Sequence, residues 1–247
     1  MRTIVAGAVV AAAVALPQAV QAEGLVRVRA GLAPTNYTLT FDDVGPYAGG
    51  KAKSKYTSKN LGLTLISEGG FYVDALGQTS GDAKHDLWNP LPDQGFSRDD
   101  FTLTLGVSIP GQSGTGSIFG GFKSGSTELK TPPGLPWTRD TFDNSGIFFG
   151  GGYGFPALGG QIGFNGALAF MSGKWTDDAG FNNEADFTVG FSFGLSYTYM
   201  FGKSFGVTAD YKTQRYSYDF AVYSTTTPAY TVAEQINSFG LSVFTQF

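Results

Sequence analysis

Hydrophobic and polar residues alternate one by one along several segments of this chain. The clearest segment runs from Phe187 to Tyr199, where every second residue is aromatic or aliphatic and the residues between them are Thr, Gly or Ser. The same alternation recurs from Phe101 to Ile109 and, more briefly, from Leu61 to Leu65. A period of two is typical of a β-strand that has one apolar and one polar face. The pattern therefore predicts a chain built mainly of amphipathic strands.

Ten segments fit this description. The predicted strands are 25–41, 58–66, 70–80, 98–109, 116–128, 145–156, 161–175, 185–200, 205–221 and 232–247. Short Gly, Ser or Pro turns alternate with longer polar loops between them, which is the layout of bacterial membrane barrels. We predict an all-β fold, a closed antiparallel transmembrane β-barrel of ten strands, because lipid does not tolerate an open sheet edge. Poor alternation in 116–128 leaves eight and twelve strands open, and a secreted β-sandwich is the alternative fold.

The first predicted strand changes its apolar face halfway along. Val26 and Val28 occupy even positions, whereas Tyr37, Leu39 and Phe41 occupy odd positions. A β-bulge near Ala33-Pro34 would explain the change, and so would a wrongly assigned strand.

Aromatic residues near the outer ends of the predicted strands form a second pattern. Their rings combine an apolar body with a polar edge, so we expect them at the membrane–water interface. This expectation covers Trp88, Trp137, Trp175, Tyr37, Tyr56, Tyr216 and Tyr218.

The N-terminal residues have the three regions of a secretory signal peptide. Arg2 supplies a positive charge, residues 4–16 are apolar, and a small-x-small sequence ends at Ala22. These thirteen apolar residues are too few for a membrane-spanning helix, which needs about 20. We therefore expect cleavage between Ala22 and Glu23, so that 1–22 is a signal peptide and 23–247 is one barrel domain.

The amino-acid composition excludes several classes of function. The chain has no Cys, which excludes a thiolate metal site, a Cys nucleophile and an iron–sulfur cluster. Its net charge of −4, without a basic run, argues against nucleic-acid binding. It has 36 Gly and 15 % aromatic residues, and it lacks a later apolar run long enough for a spanning helix. That mixture suits a barrel, whose strands need an apolar residue only at every second position.

The last predicted strand has a distinctive ending. Phe239, Leu241 and Val243 share one face with the final residue, Phe247. This strand resembles the assembly signal of bacterial outer-membrane proteins, which implies recognition by the barrel-assembly machinery. Together with residues 23–33, it resembles small porin-like barrels of the OmpW and OmpA–OmpX type. The resemblance implies a place in the Gram-negative outer membrane, in contact with its lipid and lipopolysaccharide.

Candidate catalytic groups are few. His85, the single histidine, is followed by Asp86, and such a pair can act as a base with its orienting carboxylate. The sequence lacks the Asp-x-His pattern of barrel proteases of the omptin family and the His-x-Ser pattern of barrel lipid-A deacylases. We therefore expect no enzyme activity, no cofactor and no metal site, and we interpret His85 as a solvated loop residue.

The polar face of the predicted strands carries charges of both signs. Charged side chains on the lipid face cost about 2–4 kcal/mol at midplane, so we expect these residues to point into the lumen. The candidate lumen residues are Arg27, Arg29, Asp74, Asp210, Lys212 and Gln214. The small residues from Thr188 to Thr198 would form a wall that leaves space beside them.

A group of lysines forms a second candidate site. Lys51, Lys53, Lys55 and Lys59 lie on the first long loop and the strand next to it. There they would attract the phosphates of lipopolysaccharide. A solvated, charged loop is the simpler interpretation of the same residues.

Two functions fit these features. The sequence favours a monomeric, narrow porin-like channel for ions or small solutes. The alternative is a non-conducting barrel that displays extracellular loops for adhesion, surface interaction or envelope integrity. Barrels of about 8 strands are filled by side chains and those of about 16–18 strands are open, so the state of the lumen distinguishes the two functions.

Overall fold

The computed structural model describes residues 24–42, 50–87, 94–134, 136–222 and 229–247, and the predicted cleavage site at Ala22 and Glu23 lies outside these ranges. The described chain forms eleven strands. They are β1 (Leu25–Phe41), β2 (Gly50–Ile66), β3 (Phe71–Thr79), β4 (Ala83–His85), β5 (Gln94–Pro110), β6 (Thr115–Lys130), β7 (Arg139–Ala157), β8 (Gly160–Asp177), β9 (Asn182–Phe201), β10 (Phe205–Phe220) and β11 (Tyr230–Gln246). No helix among the described residues is long and apolar enough to cross a membrane.

The strands are antiparallel neighbours in a single sheet that closes on itself. Each long strand pairs with the next along the chain, and β1 pairs with both β2 and β11. The structure has one strand more than the ten predicted, the short β4. Both β3 and β4 pair with β2 on one side and with β5 on the other. The interruption falls at Gly81, whose φ of +60° turns the chain out of the ladder before Ala83 re-enters it.

Neither of the two explanations offered for the change of apolar face in β1, a bulge or a wrongly assigned strand, agrees with the structure. The register between β1 and β2 is continuous from Leu25, opposite Ile66, to Phe41, opposite Gly50. Odd-numbered residues of β1 therefore face the interior along its whole length. From the start of β1 to its end, the inward-facing residues change from polar to apolar. The direction in which the odd-numbered side chains point stays the same. The register shifts of the sheet occur on β9 instead, against both β8 and β10.

The connections divide the barrel into two ends. The turn end carries the short connections 67–70, 111–114, 158–159 and 202–204. The start of β1 and the end of β11 lie there as well, and Val26 and Phe247 exchange backbone hydrogen bonds of 3.1 and 2.9 Å. The loop end carries the longer connections. Leu158 and Gly159 both have positive φ, which gives a hairpin turn whose twist matches that of its strands.

Outward-facing side chains form an apolar belt on the half of the barrel nearest the turn end. This lipid-facing belt includes the exposed residues Val28, Leu63, Val73, Leu105, Ile118, Phe149, Leu168, Phe193, Tyr211 and Leu241. Closer to the loop end, the outward positions of the same strands become polar. On β2, for example, Leu65, Leu63 and Leu61 are followed by Lys59. A continuous apolar belt of this kind is typical of a surface in contact with lipid hydrocarbon.

The interior is packed with side chains rather than open. Buried aromatic and aliphatic residues form a core inside the ring, mainly toward the loop end. The predicted interfacial position of Tyr37, Tyr216, Tyr218 and Trp175 is therefore wrong, since each is at most 8 % exposed and faces inward. Tyr56 also packs against this core. These rings face inward because alternate residues of a strand point to the same side, and each ring occupies an inward position in the register.

Of the two remaining tryptophans expected at the interface, one lies within the described residues. Trp137 lies in a connection at the loop end, where its indole N–H donates to Asp140 over 3.3 Å. Trp88 falls outside the described residues. The exposed rings at the edges of the lipid-facing belt are mostly phenylalanines, among them Phe71, Phe187 and Phe205.

Candidate functional site

The barrel interior has three layers, and the middle one is an ionic cluster of Arg98, Asp100, Lys123 and Glu234. Glu234, on β11, is fully buried. Its Oε1 accepts hydrogen bonds from Arg98 Nη1 at 2.6 Å and from the Tyr37 hydroxyl at 3.0 Å. Its Oε2 accepts from Asn144 Nδ2 at 3.1 Å and from the Tyr218 hydroxyl at 3.4 Å. Four strands other than β11 thus contribute donors to this one carboxylate.

Arg98, on β5, uses all three guanidinium nitrogens. Its Nε and Nη2 donate to the two carboxylate oxygens of Asp100, each at 2.8 Å. Its Nη1 donates to Glu234 and to Thr127 Oγ1, both at 2.6 Å. The guanidinium carbon also lies 5.0 Å from the centre of the Tyr37 ring. A buried charge with a hydrogen-bond partner on each of its nitrogens stabilises one arrangement of the surrounding walls.

Lys123 extends the cluster to the opposite wall. Its Nζ lies 3.6 Å from Asp100 Oδ1 and donates to Gln214 Oε1 on β10 over 3.2 Å. It also lies 5.1 Å from the ring centre of Tyr216. The long side chain therefore connects β6 with β10 through the interior.

An aromatic plug covers the ionic cluster on the side of the loop end. We use this name for Leu39, Phe96, Leu129, Phe142, Trp175, Tyr218, Phe220 and Val232, all of them buried. The Phe142 ring meets Tyr218 edge-on with 5.0 Å between centres and lies 5.7 Å from Trp175. Several of these side chains have no exposed surface, so the plug is closely packed among the described residues.

Below the ionic cluster, toward the turn end, lies a polar chamber of about 100 Å³. Arg27, Arg29, Asp210 and Lys212 are among its lining residues. Gln214 lies at the upper edge, hydrogen-bonded to Lys123 and Tyr216. Asp74 is buried beside the chamber and forms an ion pair of 2.9 Å with Arg29.

Some buried polar atoms that line this chamber have no protein partner. They are Arg27 Nε, Asn60 Oδ1 and Ser196 Oγ. Buried polar atoms of this kind are usually hydrogen-bonded to ordered water. A chamber of about 100 Å³ has room for about three water molecules at their volume in the liquid, about 30 Å³ each.

The wall of small residues on β9 does not create open space. A Cβ atom on Gly190 would lie 2.1 Å from Cδ1 of Tyr216, and one on Gly194 would lie 2.8 Å from Nδ2 of Asn165. The side chains of β10 and β8 therefore occupy the space that the small residues of β9 leave. The wall accommodates the interior packing instead of widening a pore.

Asp140 is an acidic group at the loop end that is affected by burial. It lies above the lipid-facing belt, where the indole N–H groups of Trp175 and Trp137 donate to its two oxygens over 3.2 and 3.3 Å. Burial raises the pKa of this carboxyl to about 6, against the opposing effect of the two indole donors. Asp140 thereby attaches the connection after β6 to the mouth of the barrel.

His85 has a structural environment, which differs from the solvated loop position that the sequence predicts. It is 2 % exposed, and its Nε2 lies 2.9 Å from the carbonyl oxygen of Lys130. Its Nδ1 accepts the backbone N–H of Leu87 over 3.3 Å. The side chain of Asp86 accepts the backbone N–H of Lys53 over 2.7 Å. Among the described residues, no group of three or more acidic or histidine side chains has the arrangement of a metal site.

The remaining candidate residues lie on the outer surface. Lys51, Lys53, Lys55 and Lys59 are all exposed on the outward face of β2. Phe239, Leu241, Val243 and Phe247 are exposed and lie on the outward face of β11 or directly after it. The ionic cluster was not predicted from the sequence, because residues such as Arg98 and Glu234 are 136 positions apart and neither belongs to a local motif.

Comparison with solved structures identifies the fold. The chain is similar to the outer membrane protease OmpT from Escherichia coli, with a TM-score of 0.60 and 9 % identity over 90 % of this chain and 97 % of OmpT. It is also similar to the translocator domain of the autotransporter NalP from Neisseria meningitidis, with a TM-score of 0.51 and 12 % identity over 90 % and 88 % of the two chains. No protein-family profile and no curated protein sequence matches the chain.

At these identities the likeness concerns the fold. The closed ring of antiparallel strands, the lipid-facing belt and the packed interior are together those of a Gram-negative outer-membrane β-barrel. The fold expected from strand alternation and from the C-terminal strand is confirmed at this level.

Proposed function

We propose that this protein is an outer-membrane barrel with a closed lumen that acts as a rigid platform for its extracellular loops. The observation that carries this proposal is the ion pair between Arg98 and Glu234, 2.6 Å long and with neither side chain exposed. It connects β5 with β11 across the interior, beneath the aromatic plug. This geometry favours the non-conducting alternative over the channel that the sequence favoured.

The outward polar surface supports the role of a platform. Lys51 and Lys59 lie eight residues apart on β2, above the lipid-facing belt. At about 3.3 Å per residue and a tilt of about 40°, this stretch extends roughly 20 Å beyond the belt. We propose that β3 and β4 act as one interrupted strand, which gives the barrel ten positions around its wall. The signal peptide and a monomeric state remain part of this proposal.

A flux assay in liposomes tests the closed lumen. Proteoliposomes that contain the folded barrel are expected to swell in a small neutral sugar at the rate of protein-free liposomes. A variant with Phe142→Ala and Tyr218→Ala removes two rings of the plug and should swell faster. Swelling that increases with the amount of unmodified protein would contradict the proposal.

Loop replacement tests the platform role separately. Exchange of residues 178–181 at the loop end for Gly and Ser should leave the barrel folded but fail to restore envelope integrity in cells that lack the protein. Exchange of the turn 202–204 at the opposite end is the matched control and should restore it. Equal rescue by both variants would count against a role for this loop.

A gated channel is the second candidate, and the polar chamber is the observation that favours it. Charged lining residues such as Arg27 and Lys212, together with buried atoms that lack a protein partner, suit a hydrated space. In this alternative the aromatic plug moves to open a path. A channel predicts that solute flux begins under some applied voltage or pH, whereas the platform predicts none.

A further inference from the structure

A column of exposed lysines runs up one side of the barrel. Lys51, Lys53, Lys55 and Lys59 share the outward face of β2. Ser54 pairs with His85, which places Lys84 of β4 beside Lys55 on the same face. We call these five residues the lysine ladder, and they are half of the ten lysines in a chain whose net charge is −4.

The lysine ladder differs from two other outward-facing cations, Lys174 and Arg139, in its surroundings. Lys174 forms an ion pair of 2.9 Å with Glu184, and Arg139 forms one of 3.3 Å with Glu128. Within the described part of the chain, none of the five ladder lysines is in an ion pair. Across the β1–β2 register their outward neighbours are the uncharged Leu32, Asn36, Thr38 and Thr40. Asp86, whose carboxylate accepts the backbone N–H of Lys53, is an acidic neighbour of the ladder. The five lysines outnumber it, so net positive charge is concentrated on this side.

The ladder begins where the lipid-facing belt ends. Directly below Lys59, the outward face of β2 carries Leu61, Leu63 and Leu65, which are 54, 39 and 44 % exposed. Leu32 on β1, opposite Lys59 in the register, is 53 % exposed. A ligand that matches this surface has hydrocarbon chains at its lower end and several anionic groups spaced along its upper end.

From this arrangement we infer that the lysine ladder is a docking site for a phosphorylated glycolipid of the outer leaflet, the chemistry of lipopolysaccharide. Its acyl chains pack on the leucines, and its phosphates meet the ammonium groups. The ladder extends roughly 20 Å along the barrel axis, which suits several phosphates in succession. This inference rests on the outer-membrane part of the proposed function and is independent of whether the lumen is closed.

Binding of lipopolysaccharide to the folded full barrel in detergent tests the inference. The ladder variant replaces the five lysines with Gln, and the control variant carries Lys130→Gln and Lys174→Gln on other outward faces. A lysine near an anionic lipid surface contributes about a fivefold change in affinity. We expect at least a twentyfold loss for the ladder variant and less than a twofold change for the control. Equal affinities, or equal losses in both variants, would overturn the inference.

Two further probes identify the source of the phosphate. Dephosphorylated lipopolysaccharide should bind the unmodified barrel at least twentyfold more weakly than the intact lipid. Inorganic polyphosphate, which lacks acyl chains, should bind weakly as well, and tight binding of polyphosphate would overturn the assignment to a lipid. Unchanged solute flux through the ladder variant would separate this result from the test of the closed lumen.

Discussion

Arg98 on β5 and Glu234 on β11 approach to 2.6 Å inside the barrel, although 136 positions separate them along the chain. Around the wall they lie on strands that are not neighbours, so the ion pair fixes the distance between two parts of the ring. Asn144 reaches the same carboxylate from β7. A cylinder held together across its interior resists flattening, and the same contacts leave no room for a pore at that level.

Removal of the Glu234 carboxylate is expected to destabilise the barrel strongly. Glu234→Ala leaves Arg98 with one carboxylate partner in place of two and leaves several buried donors without an acceptor. Breaking a buried, hydrogen-bonded pair from one side costs about 3–5 kcal/mol. The free energy of unfolding in urea, measured in lipid vesicles, should decrease by that amount. Gln235→Ala, on the adjacent outward position, is the control and should change it by less than about 0.5 kcal/mol.

A smaller substitution tests the packing of the wall on β9. Gly190→Ala places a methyl group 2.1 Å from Cδ1 of Tyr216 and 2.7 Å from the carbonyl oxygen of Arg215. Such overpacking costs about 1–3 kcal/mol, since backbone and ring must both move. Gly166→Ala is the matched control, because its nearest atom would be 3.8 Å away. If the two variants have the same thermal midpoint, the interior beside β9 is looser than the structure indicates.

The carboxyl of Asp140 should make the stability of the barrel depend on pH. Burial raises its pKa to about 6 in the folded protein, from its ordinary value of 3.8. The protonated form is therefore favoured by folding. The associated stability is present below about pH 4, is lost as pH rises to about 6, and amounts to about 2–3 kcal/mol.

The comparison of two variants isolates this effect from other titrating groups. Asp140→Asn should remove the decrease in unfolding free energy between pH 4 and pH 7, whereas the exposed Asp143→Asn should retain it. Thermal midpoints in detergent across this pH range provide the measurement. An unchanged pH profile in Asp140→Asn would show that the indole donors compensate fully for burial.

The terminal residue, Phe247, should matter for assembly more than for stability. It is 73 % exposed, and its contact with Val26 is made by the backbone. Phe247→Ala should therefore refold in detergent with a normal yield but accumulate less in the outer membrane of cells. Phe205→Ala, 63 % exposed at the same end, should behave normally in both assays. Parallel losses in the two assays would indicate a structural role for Phe247.

Strand parity was accessible from the sequence because every second residue of a strand faces the same way. Alternation alone predicts that Leu63 and Phe193 face outward and that Asp210 faces inward, and the structure has these orientations. It does not reveal what an inward position contacts. The Tyr37 side chain breaks the polar pattern of β1 because the interior itself becomes apolar toward the loop end, which depends on partners from other strands.

The ionic cluster had no signal in the sequence for the same reason. Arg98 and Asp100 are two residues apart and share the inward face, but they occur in a segment with many charged residues. Only the register around the ring brings Glu234 and Lys123 toward them. Similarly, His85 is buried because β4 returns between β2 and β5, an interruption that sequence alternation over three residues cannot indicate.

Single-channel conductance of the refolded barrel, residues 23–247, in a planar bilayer tests the closed lumen most directly. We expect a silent barrel at moderate voltage, and discrete current steps once Arg98→Ala and Glu234→Ala, which remove the central ion pair, are combined with Phe142→Ala and Tyr218→Ala in the plug. Heat-dependent mobility on gels would establish that both proteins are folded. Reproducible current steps from the unmodified barrel would contradict a closed lumen and support the channel function.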